Sequence, residues 1–71
     1  MKLTRHMCGI LHVLNNNGPT KSNDLVPTAL IALAMQGYVI IGALSFLSPK
    51  GKELMASGTV PYPDAELAAF D

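Results

Sequence analysis

The feature that most constrains this sequence is the run from Leu25 to Ser48, which contains no charged residue. A membrane-spanning helix needs roughly 20 apolar residues, so a run of this length is a candidate membrane segment. Pro27, Gly37 and Gly42 interrupt it, and its second half is β-branched and aromatic, which favours strands over one continuous helix. A helix followed by two strands is the preferred interpretation. A single-pass membrane peptide over 25–48 is a less favoured alternative.

Length and charge indicate one small folded unit. The chain has 71 residues, of which 49% are hydrophobic and 14% charged, a composition typical of a chain that folds. Five basic residues balance five acidic ones, so no overall positive field attracts nucleic acid or an anionic membrane. Every charged residue after Gly58 is acidic. This asymmetry predicts a domain over 1–58 and an acidic C-terminal tail over 59–71, either docked or mobile.

A single cysteine, Cys8, excludes an internal disulfide and fits a reducing compartment. The segment after Lys2 and Arg5 is too interrupted by polar residues and glycine to form the apolar centre of a signal peptide. The expected location is the cytoplasm, or the host cytoplasm if the protein is viral.

Capping residues and apolar spacing predict three helices, at about 4–16, 27–36 and 49–57. Thr4 and Ser48 are suitable N-caps for the first and third of these helices, and prolines stand at the first positions of the second and third. An apolar stripe at helical spacing predicts that the first helix faces a core. Its members are Met7, Ile10, Leu11 and Leu14.

A β-hairpin is predicted at about 38–47. Gly42 and Ala43 are interpreted as the two central residues of a type II′ turn, whose first central position requires the positive φ that glycine adopts. Such a turn pairs Ile41 with Leu44 and Tyr38 with Leu47. Residues 20–24 are polar and allow at most one turn of helix. Because the other predicted elements are three helices and one hairpin, the predicted fold class is α+β.

The order of these elements resembles a minimal winged helix-turn-helix domain. Thr28 to Val39 looks like the recognition helix and first wing strand, and Phe46 to Leu54 looks like the second strand and closing helix. The sequence departs from the winged helix-turn-helix pattern in two ways. The element before Pro27, which should be a full second helix, is shortened, and the wing carries no basic residue at its tip. In this the chain is similar to small phage-encoded regulatory proteins, some of which bind a host protein, RNA polymerase among them, instead of DNA.

The resemblance implies a non-enzymatic, transcription-related regulator or inhibitor that binds a protein partner through the 27–36 helix and the hairpin. Inward placement of Leu30, Leu33, Ala34 and Gly37 turns a largely apolar face outward, which suits a protein partner. The expected partner-binding residues are Thr28, Ile31, Ala32, Met35 and Gln36. Two alternatives stay open for this face: Ile31 and Met35 belong to the core, or the face joins two copies in a homodimer.

A small winged-helix DNA-binding regulator is the alternative function. Only Thr28 and Gln36 offer outward polar groups that reach base edges, so any DNA binding is expected to be weak, salt-sensitive and poorly selective. The candidate phosphate contacts are Lys2, Arg5, Lys21, Lys50 and Lys52.

No catalytic, metal or cofactor site is predicted. His6 and His12 are six residues apart, which places them on different faces of a helix. Cys8 and His12 share a face but lack a third group to orient them as a nucleophile and base. Asp64 and Glu66 lie in the tail, where they are not expected to form a rigid acid and base pair.

Overall fold

A computed structural model of the protein describes residues 3–62 and 66–70. It contains three helices, which are α1 (Arg5–Asn17), α2 (Pro27–Met35) and α3 (Pro49–Ala56). Its antiparallel sheet has three strands, which are β1 (Thr20–Lys21), β2 (Val39–Ile40) and β3 (Leu44–Leu47). Two 3-10 turns span Ser22–Asp24 and Glu66–Ala69. The chain is therefore a small α+β domain, compatible with a winged-helix-like fold, and the predicted helices are confirmed.

Capping side chains begin two of the helices at the predicted residues. The Thr4 hydroxyl accepts a hydrogen bond from the amide of Met7 at 3.3 Å, and the Ser48 hydroxyl accepts one from the amide of Gly51 at 3.1 Å. Each bond satisfies an amide that has no partner inside its helix. All three helices are followed by a glycine with positive φ, a conformation that other residues adopt at a cost. These glycines are Gly18, Gly37 and Gly58.

Helix α1 is the centre of the hydrophobic core. Its predicted stripe is buried, and so are Cys8 and Val13. Leu30 and Leu33 of α2 and Leu47 of β3 belong to the same buried cluster. Burying an aliphatic side chain of this size contributes about 1.5–3 kcal/mol, so α1 is the element on which the rest of the domain assembles.

The hairpin is confirmed, but its register differs from the predicted one by one residue. Val39 pairs with Leu47, and Ile40 pairs with Phe46. The predicted pairing of Tyr38 with Leu47 is therefore wrong, and so is that of Ile41 with Leu44.

The cause of this shift lies in the connection between the strands. Gly42 does not have the positive φ that a type II′ turn requires, and Ile41 belongs to the connection instead of to β2. Because side chains alternate along a strand, a one-residue shift changes which pairs share a face. Phe46 and its partner Ile40 consequently face outward, while the next pair lies in the core.

Strand β1 was not predicted from the sequence. Thr20 pairs with Ser45 and Lys21 pairs with Leu44, which gives the strand order β1-β3-β2. Ser22 follows β1 and joins it to the hairpin, because its hydroxyl donates to the carbonyl of Gly42 and lies within hydrogen-bonding distance of the Ser45 hydroxyl. The buried hydroxyl of Ser45 is thereby satisfied.

The C-terminal segment, residues 59–70, packs against the body of the domain in its described part. Val60, Ala68 and Ala69 are buried, and the amide of Val26 donates to the carbonyl of Ala69 at 2.9 Å. Of the two predicted alternatives for this segment, docked is therefore correct for its described residues. The side chains of Asp64, Glu66 and Asp71 lie outside the described part of the structure.

The uncharged run from 25 to 48 is divided among α2, β2 and β3. Within the described ranges, no helix combines the length and the apolar character needed to cross a bilayer. The single spanning helix considered for this run does not form.

Candidate functional site

The outer face of α2 is apolar and accessible. Ile31 is 53% exposed and Met35 is 82% exposed. The alternative interpretation of these two residues as core packing is therefore wrong. Thr28 and Gln36 are also exposed, and Ala32 is half-buried. All five residues predicted for partner binding thus lie on or beside one accessible face.

The inward face of α2 differs slightly from the predicted one. Leu30 and Leu33 are buried as expected, but the third buried residue is Ala29. Ala34 is only half-buried, and Gly37 is exposed because it follows the end of the helix. The rotation is small enough that Ile31 and Met35, one helical turn apart, both remain outside.

A shallow cleft extends the α2 face toward the start of α1. It measures about 270 Å³ and is bordered by Met7 of α1 and by Thr28, Ala29 and Ala32 of α2. Thr4 and His6 complete its wall. The accessible surface around Ile31 and Met35 is therefore continued by a concave region.

A second apolar surface covers the outer side of the hairpin. Ile40 and Phe46 lie directly opposite each other there, at 44% and 40% exposure. Ile41 and Leu44 add 43% and 48% exposed side chains near the strand connection. The sequence predicted that the hairpin takes part in the interface, but none of its residues was named. The alternation of the strand residues was the available signal.

The described cations are distributed over three elements other than α2. Arg5 begins α1, Lys21 is in β1, and Lys50 and Lys52 are in the first turn of α3, while Lys2 lies outside the described residues. The Lys50 ammonium group donates to the carbonyl of Gln36 at 2.9 Å and lies 4.8 Å from the centre of the Tyr38 ring. Lys50 is therefore engaged in holding the end of α2 against α3.

The two histidines attach the C-terminal segment to α1. Nδ1 of His6 donates to the carbonyl of Ala68 at 2.6 Å, and Nε2 of His12 donates to the carbonyl of Pro61 at 3.0 Å. The His12 ring also lies 4.7 Å from the Tyr62 ring, centre to centre. No local pattern reveals these roles, because the partner carbonyls lie 62 and 49 residues further along the chain.

Cys8 is enclosed in the core, with 4% of its surface exposed. Burial raises the pKa of its thiol, and a hydrogen bond to the backbone lowers it to a smaller degree. Cys8 is therefore enclosed instead of presented as an accessible nucleophile, and Nε2 of His12 donates to the carbonyl of Pro61. Over residues 3–62 and 66–70, His, Cys, Asp and Glu side chains nowhere gather in a group of three that would suit a metal ion.

We expect the Cys8 thiol to react with a disulfide reagent at least about 100-fold more slowly in the folded protein than in guanidinium-unfolded protein, because both burial and the raised thiol pKa suppress the thiolate. The measurement is the rate of thionitrobenzoate release, with a Cys8→Ser variant as the blank. Equal rates in the two states would show that Cys8 is accessible.

No protein family matches the chain, and neither a curated protein nor a solved structure is significantly similar to it.

Proposed function

We propose that this protein is a non-enzymatic regulator or inhibitor that binds a protein partner through the outer face of α2 and the adjoining hairpin. The observation that carries the proposal is the exposure of Ile31 and Met35, two large apolar side chains one turn apart on a helix without a charged residue. Exposed apolar side chains that lie together are typical of protein-binding surfaces.

The composition of the face matches the anatomy of such an interface. Ile31 and Met35 supply an apolar centre. Burial of a fully exposed side chain of this size contributes about 1.5–3 kcal/mol, and the gain at Ile31 is smaller because only 53% of it is exposed. Thr28 and Gln36 provide polar groups at its edge. The flexible thioether of Met35 adapts to the contour of a partner.

DNA recognition by this face would have few of the required side chains. Reading bases in the major groove depends on arginine, lysine, asparagine or glutamine, and α2 with its flank offers Gln36 alone from that set. Lys50, the cation bonded to the end of α2, is already engaged with the Gln36 carbonyl and the Tyr38 ring. A protein partner is therefore the better match.

The resemblance to winged-helix regulators selects the first partners to examine. The order of α1, α2, hairpin and α3 is the one on which that resemblance rests. This resemblance, together with the similarity to small phage-encoded proteins, makes the transcription machinery of a host cell the first candidate partner, RNA polymerase included.

Replacing Ile31 and Met35 together by lysine tests the proposal. Both side chains are exposed, so the free energy of unfolding should change by no more than about 0.5 kcal/mol per site. Partner affinity should fall by roughly 100-fold, as expected when two apolar anchors are lost. The partner is captured from a lysate treated with nuclease, and its affinity for each purified variant is measured by calorimetry.

A matched control adds the same two positive charges elsewhere, at the exposed positions Asn17 and Ala56. This control should bind the partner as tightly as the unchanged protein. Equal loss of stability and binding in the α2 variant would contradict an interface role for Ile31 and Met35. Capture that disappears with nuclease would favour DNA, and a change of oligomeric state would favour a homodimer.

A further inference from the structure

A second concave surface lies away from the outer face of α2. It is formed by the end of α1, the turn at Gly18 and Pro19, strand β3 and the first turn of α3, and it measures about 460 Å³. We call it the α1–β3–α3 cleft. It contains no residue of α2, and it shares Phe46 and Leu47 with the hairpin used by the function proposed above.

The walls of the α1–β3–α3 cleft are largely apolar. Leu14 and Leu47, which belong to the core, line it together with the exposed residues Pro19 and Phe46. Cavities of about 300–1,000 Å³ with apolar walls and few polar groups are typical of binding pockets. The partly exposed ring of Phe46 gains burial if an apolar group enters the cleft.

The polar groups of the cleft are Asn15 and Lys52. Lys52 is exposed, and its ammonium group has no hydrogen-bond or ion-pair partner among the described residues. No acidic residue of the described chain lines the cleft. The three N–H donors of the Lys52 ammonium group suit an acceptor that carries negative charge.

We propose that the α1–β3–α3 cleft binds an acidic segment of a protein, which places an aliphatic or aromatic side chain against Phe46 and Pro19 and a carboxylate on the ammonium group of Lys52. Charge complementarity selects this occupant, because within residues 3–62 and 66–70 the charged residue that lines the cleft is the cation Lys52. Apolar walls beside that cation reduce the screening of a bound carboxylate by water.

A nucleic acid strand is less well matched to the cleft. Binding of a phosphate backbone depends on several cations that follow successive phosphates, whereas this cleft presents Lys52 alone. The proposed site shares Phe46 with the hairpin but contains no residue of α2, so substitutions at Ile31 and Met35 and at Lys52 test the two proposals separately.

The experiment selects binders from a phage-displayed library of random 12-residue peptides, with the whole protein as the target. Selected peptides are synthesised with a fluorescent label, and their affinity is measured by anisotropy. We expect enrichment of peptides that combine aspartate or glutamate with leucine, phenylalanine or tryptophan. Lys52→Glu should weaken their binding by at least about 10-fold, and Lys52→Gln should weaken it by less, because it removes the cation without adding a repulsive carboxylate.

The matched control is Arg5→Glu, which reverses an exposed charge at the opposite end of α1 from the cleft. It should leave affinity within about twofold, and so should the double lysine substitution at Ile31 and Met35. Amide spectra of each variant confirm that it is folded.

Three results would overturn the assignment. The first is enrichment only of peptides that lack acidic residues or bind Lys52→Glu as tightly as the unchanged protein. The second is an equal loss of affinity in Arg5→Glu, which would show unspecific attraction. The third is displacement of the peptides by an oligodeoxythymidine at lower concentration than by an acidic peptide, which would assign the cleft to nucleic acid.

Discussion

Gly51→Ala is expected to destabilise the domain by about 3 kcal/mol or more, although alanine is the better helix former by about 1 kcal/mol. A methyl group at Gly51 would overlap the carbonyl oxygen of Tyr38 and lie 3.2 Å from Cδ2 of Leu47. Neither neighbour moves freely, because the Tyr38 carbonyl accepts the amide of Ser48 and Leu47 is in the core. The first turn of α3 would have to separate from Tyr38, the residue that precedes β2.

Thermal unfolding followed by circular dichroism measures this effect. For a domain of this size, 3 kcal/mol corresponds to a decrease of Tm on the order of 15 °C. Glu53→Ala is the matched control, since Glu53 is an exposed residue of the same helix and its loss should change Tm by little. A Gly51→Ala protein as stable as this control would refute the close approach of α3 to Tyr38.

Gly9→Ala is expected to release the C-terminal segment from α1. The added methyl group would lie 2.9 Å from the amide nitrogen of Ala69 and 3.2 Å from the carbonyl carbon of Ala68. These are backbone atoms, so the segment itself must move. The expected cost of about 1–3 kcal/mol exceeds or offsets the gain of about 1 kcal/mol from alanine in a helix.

The direction of the change in the free energy of unfolding tests this prediction. If the segment moved aside at no cost, only the gain in helix propensity would remain. An increase in stability of about 1 kcal/mol in urea unfolding would therefore contradict a tight contact at Gly9. Hydrogen exchange gives a local measurement, because the amide of Val26 donates to the carbonyl of Ala69. That amide should lose protection in Gly9→Ala even under conditions in which the core amides of α1 keep theirs.

Local chemistry accounts for the part of the fold that was predictable. Thr4 and Ser48 cap helices with their own hydroxyls, and glycine ends each helix with a positive φ, so the necessary information lies within a few residues of each boundary. Strand β1 was missed because its pairing with β3 joins residues far apart in the chain. The hairpin register was wrong because two and three connecting residues are both compatible with a glycine at position 42.

Only part of the candidate site was predictable from the sequence. Helical spacing alone identified Ile31 and Met35 as outward residues, because a period of 3.6 determines both faces of a short helix. The α1–β3–α3 cleft was not predictable, since Leu14, Phe46 and Lys52 come from three separate elements. The role of His6 and His12 in holding the C-terminal segment was equally hidden, because a single sequence gives no indication of which distant carbonyl a histidine meets.

The docking of the C-terminal segment also affects how the protein is made. The His6 ring near the start of α1 meets the carbonyl of Ala68, 62 residues later, and the turn at Glu66–Ala69 packs on the same helix. While the chain is being synthesised, α1 therefore lacks its contact with Glu66–Ala69 until residue 69 has left the ribosome. A ribosome stalled before that residue has emerged would present α1 to chaperones and proteases without its cover from Glu66–Ala69.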